Sequence, residues 1–365
     1  MISYSGKNRA AVNWLKAMYF DSPEWTPCNV GTLPAVWIKH REAFEALVLE
    51  HPRVFPAYKK GSVDFDFPNG FGAPTYEPGR YTDCWGSVWE NIMRGMEAQV
   101  VVEPLSEWSA FENWKKHLPD PIKNFEWGPR DLTALAEGIA QAKRRGDMAW
   151  ARCLMHGHFF MRLYYLRGFE NLMVDIATDE PLLRELAEIV TCYNVAAVAK
   201  VMEYEPDMIY FGEDLGMQTS LPISPAAWRK LVKPSYIRTF APVVAKGFPV
   251  YLHSDGHILE IIADLIETGV TVLNPQIRAN GLEGLQKYAK GKVAINQDLD
   301  RQLFPFATPA QIEDHIGEVF EGLYDPKGGL MLLAEVGPEV PLANVHAICR
   351  ALEKVCKLPE PKNLV

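Results

Sequence analysis

In the stretch Pro249-Val250-Tyr251-Leu252-His253-Ser254-Asp255-Gly256-His257, an imidazole and a carboxylate stand two residues apart. The apolar run before them reads as a short buried strand. An α/β enzyme keeps its chemistry at the carboxyl end of such strands. Comparable groups recur along the chain: His156 and His158, Glu213 and Asp214, Asn274, Gln297 and Asp298, and Glu335. Two chemistries fit these residue types. His253, Asp255, Glu335 and Glu213 supply one imidazole and three carboxylates, a set able to hold zinc at about 2.0–2.2 Å with one position open. There the metal would act as a Lewis acid. Without a metal, the same carboxylates and histidines would grip an anionic or pyrrolic substrate and handle its protons. Asp255 also precedes a helix and is a candidate N-cap, a role that competes with metal ligation for the same oxygens.

The elements that must position these groups follow a regular rhythm. After residue 131, helices over 131–145, 162–177, 181–205, 258–267, 282–289, 309–323 and 342–355, and one opened by Ser224-Pro225, alternate with strands. The strands cover 148–155, 208–211, 249–253, 270–273, 292–295 and 330–333, and each is short and apolar. In the helix over 258–267, Ile258, Ile261, Ile262, Leu265 and Ile266 form one apolar face, and Gly269 ends it. Alternation of this kind predicts parallel βαβ units buried on both sides. Two more strands, at 26–33 and 99–102, complete eight, so the fold expected is an α/β (β/α)8 TIM barrel. No Gly-rich dinucleotide loop follows any strand, which counts against a doubly wound sheet. Helices at 7–20, 42–51 and 108–118 flank a Gly-, Pro- and aromatic-rich stretch from Tyr58 to Trp89. We expect one domain over 1–365: an aromatic-rich N-terminal extension with the first strands over about 1–130, then regular repeats over about 131–357.

The 365 residues carry a net charge of −9, which gives no electrostatic reason to bind nucleic acid or an anionic membrane. Apolar runs fall short of a membrane span, and the first residues lack an apolar signal region. The 6 cysteines form no Cys-x-x-Cys pair, so a reducing, cytoplasmic setting is expected.

Several motifs, taken in order, resemble the uroporphyrinogen decarboxylase superfamily. They are Gly212-Glu213-Asp214-Leu215-Gly216 with Gln218, Ile223-Ser224-Pro225, His253-Ser254-Asp255-Gly256, Glu267-Thr268-Gly269-Val270 with Leu273-Asn274-Pro275, and Val340-Pro341-Leu342-Ala343-Asn344-Val345. Asp83-Cys84-Trp85-Gly86 and Pro119-Asp120 extend the likeness toward the N-terminus. The resemblance implies a (β/α)8 barrel, an active site in a cleft at the strand C-termini, and a homodimer. True decarboxylases carry an arginine-rich Met-Arg-Gln-Ala-Gly-Arg motif for their polycarboxylate substrate, and here that region reads Leu33-Pro34-Ala35-Val36-Trp37-Ile38-Lys39-His40. Their C-terminal His is replaced by the Ala334-Glu335-Val336-Gly337 context.

The other branch of the superfamily is similar in its zinc motif. Corrinoid-dependent methyltransferases bind zinc through His-x-Cys and a later Cys. Here the pair is His253-x-Asp255, and the later position falls near Glu335. Oxygen ligands leave a harder, more Lewis-acidic ion, suited to an ether oxygen. The resemblance thus implies a methyltransferase acting on a methoxylated, aromatic small molecule. One zinc ion would sit on His253, Asp255, Glu335 and Glu213, with Asp214, Asp83 and His156 as catalytic groups. Tyr81, Trp85, His158, Tyr210, Asn274 and Gln297 would bind substrate. No cobalamin signature of the type Asp-x-His-x-x-Gly occurs, so the corrinoid is expected on a separate partner protein. The alternatives are a decarboxylase with Asp83 and Asp214 on the substrate, and a non-catalytic ligand-binding barrel.

Overall fold

The computed structural model describes residues 4–66, 74–126 and 128–363. Seven strands form one parallel sheet: β1 (Cys28–Thr32), β2 (Trp150–Arg152), β3 (Met208–Gly212), β4 (Val250–Ser254), β5 (Val272–Pro275), β6 (Ala294–Asp298) and β7 (Leu330–Val336). Their order is β1-β7-β6-β5-β4-β3-β2. The first strand pairs with the last, Cys28 beside Leu332 through Thr32 beside Val336. The sheet therefore curls into a TIM barrel whose seam lies between β1 and β2. The expected strand at 99–102 exists but is not a barrel strand. It joins 79–82 and 88–91 in a three-stranded antiparallel sheet, inserted between β1 and β2.

The helices follow their local signals. Ser224 caps Pro225–Leu231 by accepting from Ala227 N at 3.2 Å, and Pro occupies the first helical position, where its missing N–H is harmless. Thr308 and Gln311 form a capping box before Pro309–Leu323. Asp131 caps Leu132–Arg145, and Gly146 ends it at φ 75°. The single helix expected over 162–177 is two, Phe160–Arg167 and Phe169–Thr178, broken at Gly168. Among the described residues, no helix is long and apolar enough to cross a membrane.

Strand periodicity divides the core. Ile209, Phe211, Val250, Leu252, Leu273, Ile295, Leu330 and Leu332 face outward into the main core with the helices. Met208, Tyr251, Val272, Ala294 and Met331 face inward and meet Ala17 and Met18 of the helix Arg9–Met18. That helix closes the N-terminal end of the barrel, tied by Gly329 N donating to Ala17 O at 2.7 Å. The open space lies above this floor, at the carboxyl ends of the strands.

Three residues expected at the site belong to the scaffold of the insertion. Asp83 is 4% exposed. Its carboxylate accepts from Trp85 N at 3.0 Å, Ser87 N at 2.9 Å, Trp89 Nε1 at 3.0 Å and Arg162 Nη1 at 2.8 Å. These bonds pin the inserted sheet to the barrel helix that carries Arg162 and leave no free oxygen for chemistry. Trp85 is buried against Trp114 and Tyr193, and Tyr81 stacks on Trp89 at 6.1 Å.

A second anchor is Glu213, fully buried. It accepts from Phe159 N at 3.0 Å, Met161 N at 2.7 Å and Tyr236 Oη at 2.9 Å. It thereby takes up N–H groups at the start of the helix Phe160–Arg167. His158 lies beside it, with Nδ1 3.4 Å from Glu213 Oε2, between Phe211 and Tyr236. Successive residues past a strand point to opposite sides, so Asp214 is inside the barrel and Glu213 outside. Glu213 and His158, expected as a metal ligand and a substrate group, are both buried and neither lines the barrel cavity.

Breaking a buried ion pair by removing one partner strands the other charge. Asp83→Ala is expected to lower the unfolding free energy by about 3–5 kcal/mol, read from urea titration; a loss under about 1 kcal/mol would mean Arg162 is satisfied otherwise. Burial holds the His158 imidazole below its ordinary value, only partly offset by Glu213. The unfolded chain then binds a proton, below about pH 6.5, that the folded chain resists. The contribution of His158 to the unfolding free energy should therefore rise from pH 5 to pH 7, read as a difference between wild type and His158→Gln that moves in favour of wild type across that range.

Candidate active site

The barrel opens into a cavity of about 690 Å³ at the strand carboxyl ends. Its wall takes alternate residues from the strands and the turns after them: Tyr210 and Asp214 from β3 and its following turn, Tyr251 and His253 from β4 with Asp255 just past it, Asn274 from β5, Asn296 and Asp298 from β6, Leu333 and Glu335 from β7. The lower part is aromatic. Trp14 meets Trp150 edge-on at 5.7 Å, Trp150 meets Tyr251 at 6.0 Å, and Tyr210 stacks on Tyr251 at 5.2 Å.

Above the rings lies a donor cluster suited to a metal ion. Asp214, His253 and Asp255 offer one atom each, all within 4.8 Å of one another. His253 Nε2 is 3.2 Å from Asp255 Oδ1 and 3.9 Å from Asp214 Oδ1. Asp255 N donates to Asp214 Oδ1 at 3.2 Å, which draws the two carboxylates together. Asp255 Oδ1 is enclosed and has no hydrogen-bond partner. Behind the imidazole, Nδ1 donates to Asn274 Oδ1 at 2.8 Å, Asn274 Nδ2 donates to Asn296 O at 2.5 Å, and Asn296 Nδ2 donates to Tyr251 Oη at 2.8 Å. This chain fixes the ring and turns Nε2 into the cluster, as partners behind metal-binding histidines do.

The electrostatics report crowded negative charge. Burial lowers the His253 pKa, but Asp255, Asp214 and Asp298 outweigh it and hold the ring at about 9. Burial raises Asp298 to about 7 against the pull of Arg301 and His253. Asp214 is pushed up by burial, yet its hydrogen bond and charge interactions with His156 and His253 bring it below the ordinary value. His156 Nε2 lies 3.2 Å from Asp214 Oδ1. It reaches that place because position 212 has no side chain: a Cβ there would collide with His156 Nδ1.

Of the residues expected from sequence, the cavity brings together His253, Asp255, Asp214, His156, Tyr210, Asn274 and Glu335. Asp214, expected as a catalytic group, takes the place in the donor cluster expected for Glu213. Glu335 lines the cavity but lies outside the cluster, since Arg301 Nη1 donates to its Oε1 at 2.7 Å. Gln297 is buried on the far side of β6, where its amide donates to Pro275 O and Asp298 O, both at 2.8 Å. Sequence reasoning missed Arg301, Asn296, Tyr251, Trp150 and Trp14 as wall residues. Strand parity was the usable signal for two of them: Asn296 shares its face with Asp298 and Ala294, and Tyr251 shares its face with His253. Trp14 and Arg301 arrive from outside the strands, and no local pattern marks them.

Comparison with known proteins bears on this arrangement. The family model described as uroporphyrinogen decarboxylase matches residues 117–355, more than half of the chain. A methyltransferase from Methanosarcina mazei superposes with a TM-score of 0.59 at 15% identity, covering 95% of this chain and 99% of that one. A dihydropteroate synthase from Xanthomonas albilineans aligns with a TM-score of 0.29 at 15% identity, over 47% of this chain and 72% of its own. No curated protein sequence matches. The matched span holds β2 to β7 and, within them, His156, Asp214, His253 and Asp255; the chain belongs to the uroporphyrinogen decarboxylase family.

Proposed function

We propose that this chain is a zinc-dependent methyltransferase that moves a methyl group from a methoxylated aromatic molecule to the corrinoid of a separate protein. The observation that carries this reading is the Asp214–His253–Asp255 cluster set above an aromatic cavity. The donor set fits zinc. It has one imidazole turned by Asn274 and two carboxylates, one with an enclosed oxygen that no hydrogen bond satisfies. Zinc held there would supply a Lewis acid for an ether oxygen. The likeness in fold to the Methanosarcina mazei methyltransferase supports the reaction class.

The chain's own groups account for the rest. Trp14, Trp150, Tyr210 and Tyr251 offer ring faces and edges to an arene and keep water from its flanks. His156, half-exposed beside Asp214, is placed to give a proton to the departing phenolate oxygen. The methyl acceptor would dock over the cavity mouth. A homodimer and a cytoplasmic setting belong to the same reading. A decarboxylase for polyanionic porphyrinogens is disfavoured by charge. Among the described residues the wall carries Glu97, Asp214, Asp255, Asp298 and Glu335 and one arginine, Arg301, which is already paired with two of them.

Purified protein is expected to hold one zinc per chain and to transfer methyl groups from methoxylated arenes to a reduced corrinoid protein. His253→Ala should remove the zinc and the transfer together; full transfer by that variant, or zinc-free active protein, would sink the proposal. Gly212→Ala should crowd His156 away from Asp214 and slow the transfer by about 10- to 100-fold with zinc content unchanged, which a single-turnover assay would register.

A further inference from the structure

Arg301 enters the cavity wall from the turn after β6 and holds two carboxylates at once, Asp255 and Glu335. Its Nη2 donates to Asp255 Oδ2, and its Nη1 donates to Glu335 Oε1 at 2.7 Å. The turn that carries it is well fastened. Leu299 N donates to Leu333 O at 2.9 Å. The Asp300 carboxylate accepts from Gln302 N at 3.1 Å, Leu303 N at 3.2 Å and Arg278 Nε at 2.9 Å. The guanidinium is thus a fixed fork, and a planar fork of five N–H donors holds a carboxylate's orientation far better than a point charge does.

The consequence lies in Asp255. With Oδ2 taken by Arg301, only Oδ1 remains, and Oδ1 is enclosed, 3.2 Å from His253 Nε2 and without a well-formed hydrogen bond. An enclosed carboxylate oxygen whose nearest donor, His253 Nε2, forms no well-aligned hydrogen bond is costly, and a cation held between the two atoms would relieve that cost. We propose that Arg301 is the positioning residue of the metal centre: it presents Asp255 through Oδ1 alone and keeps Glu335 out of the ligand set. This rests on the zinc site proposed above. Arg301 then explains why Glu335 stands apart from the donor cluster, and why a carboxylate at position 255 serves with one defined oxygen. It also leaves three protein ligands, Asp214, His253 and Asp255, with a further position open for substrate.

Proximity alone predicts the opposite effect of removing Arg301. A guanidinium near a dication repels it, so if Arg301 were merely a neighbour, its removal would tighten metal binding. If it orients Asp255, removal loosens binding. The sign decides. Zinc affinity of the full chain would be measured by competition with a chromophoric chelator, and geometry by the visible absorption spectrum of the cobalt(II)-substituted protein. Arg301→Met is expected to weaken zinc binding by about 10- to 100-fold and to change the cobalt spectrum, since loss of a partner behind a ligand has that scale of effect. Arg301→Lys should recover part of the affinity. Glu335→Gln, which still accepts from Arg301, should leave affinity within about threefold of wild type, well short of that scale.

An Arg301→Met protein that binds zinc as tightly as wild type or more so, with the wild-type cobalt spectrum, overturns the proposal. Should that variant fail to fold by circular dichroism, Arg301→Lys carries the test, and an unchanged spectrum and affinity in it count against the assignment. Wild-type protein that binds no zinc ends the metal reading itself. A wild type that binds zinc beside unaffected variants ends only the role of Arg301.

Discussion

The arrangement depends on one electrostatic constraint. Carboxylates from four strand ends face one partly enclosed space, and each needs a positive partner there. Asp214 and Asp255 are drawn close by the Asp255 N–H, against their mutual repulsion. The chain meets the demand with Arg301 between Asp255 and Glu335, with an imidazole held at about 9, and with Asp298 raised to about 7 by burial. The amide chain through Asn274 and Asn296 holds the His253 ring in place among these charges.

The barrel supplies the rigidity this requires. Its sheet buries apolar residues on both faces, and the helix Arg9–Met18 closes its floor. The aromatic section between β1 and β2 does not form the site's wall as its composition suggests. It is fastened by Asp83 and Arg162 into a small sheet at the seam, and it sends Met96 and Glu97 to the cavity. The rings that line the cavity floor come from Trp14, Trp150, Tyr210 and Tyr251 instead. Trp85 and Trp89 are buried among rings of the insertion and its neighbours, whereas Trp150 keeps 42% of its surface exposed.

Local physics made much of this legible. The spacing of Ile258, Ile261, Ile262, Leu265 and Ile266, the Ser224-Pro225 start and the Gly269 stop are short-range signals, and helices begin or end at or near each of them. Alternating short apolar strands and helices specified the TIM barrel, because parallel strands need long crossovers. His253-x-Asp255 was legible as a pair since residues two apart on a strand share a face.

Partner choice across the fold was not legible. The same two-residue period separates Glu213 from Asp214 and Gln297 from Asp298, but its phase depends on which face of each strand looks inward, and only the closed sheet decides that. Asp83 and His158 carry groups that chemistry could use, and burial against Arg162, Glu213 and Tyr236 turns them into fastenings. Arg301 lies 46 residues from Asp255 and 34 from Glu335. Sequence alone therefore determined the elements, the barrel and the His253–Asp255 pair, all set by contacts within a few residues. The tertiary structure decided which carboxylates face the pocket and which cation each one meets, because those pairings join residues that only the folded barrel brings together.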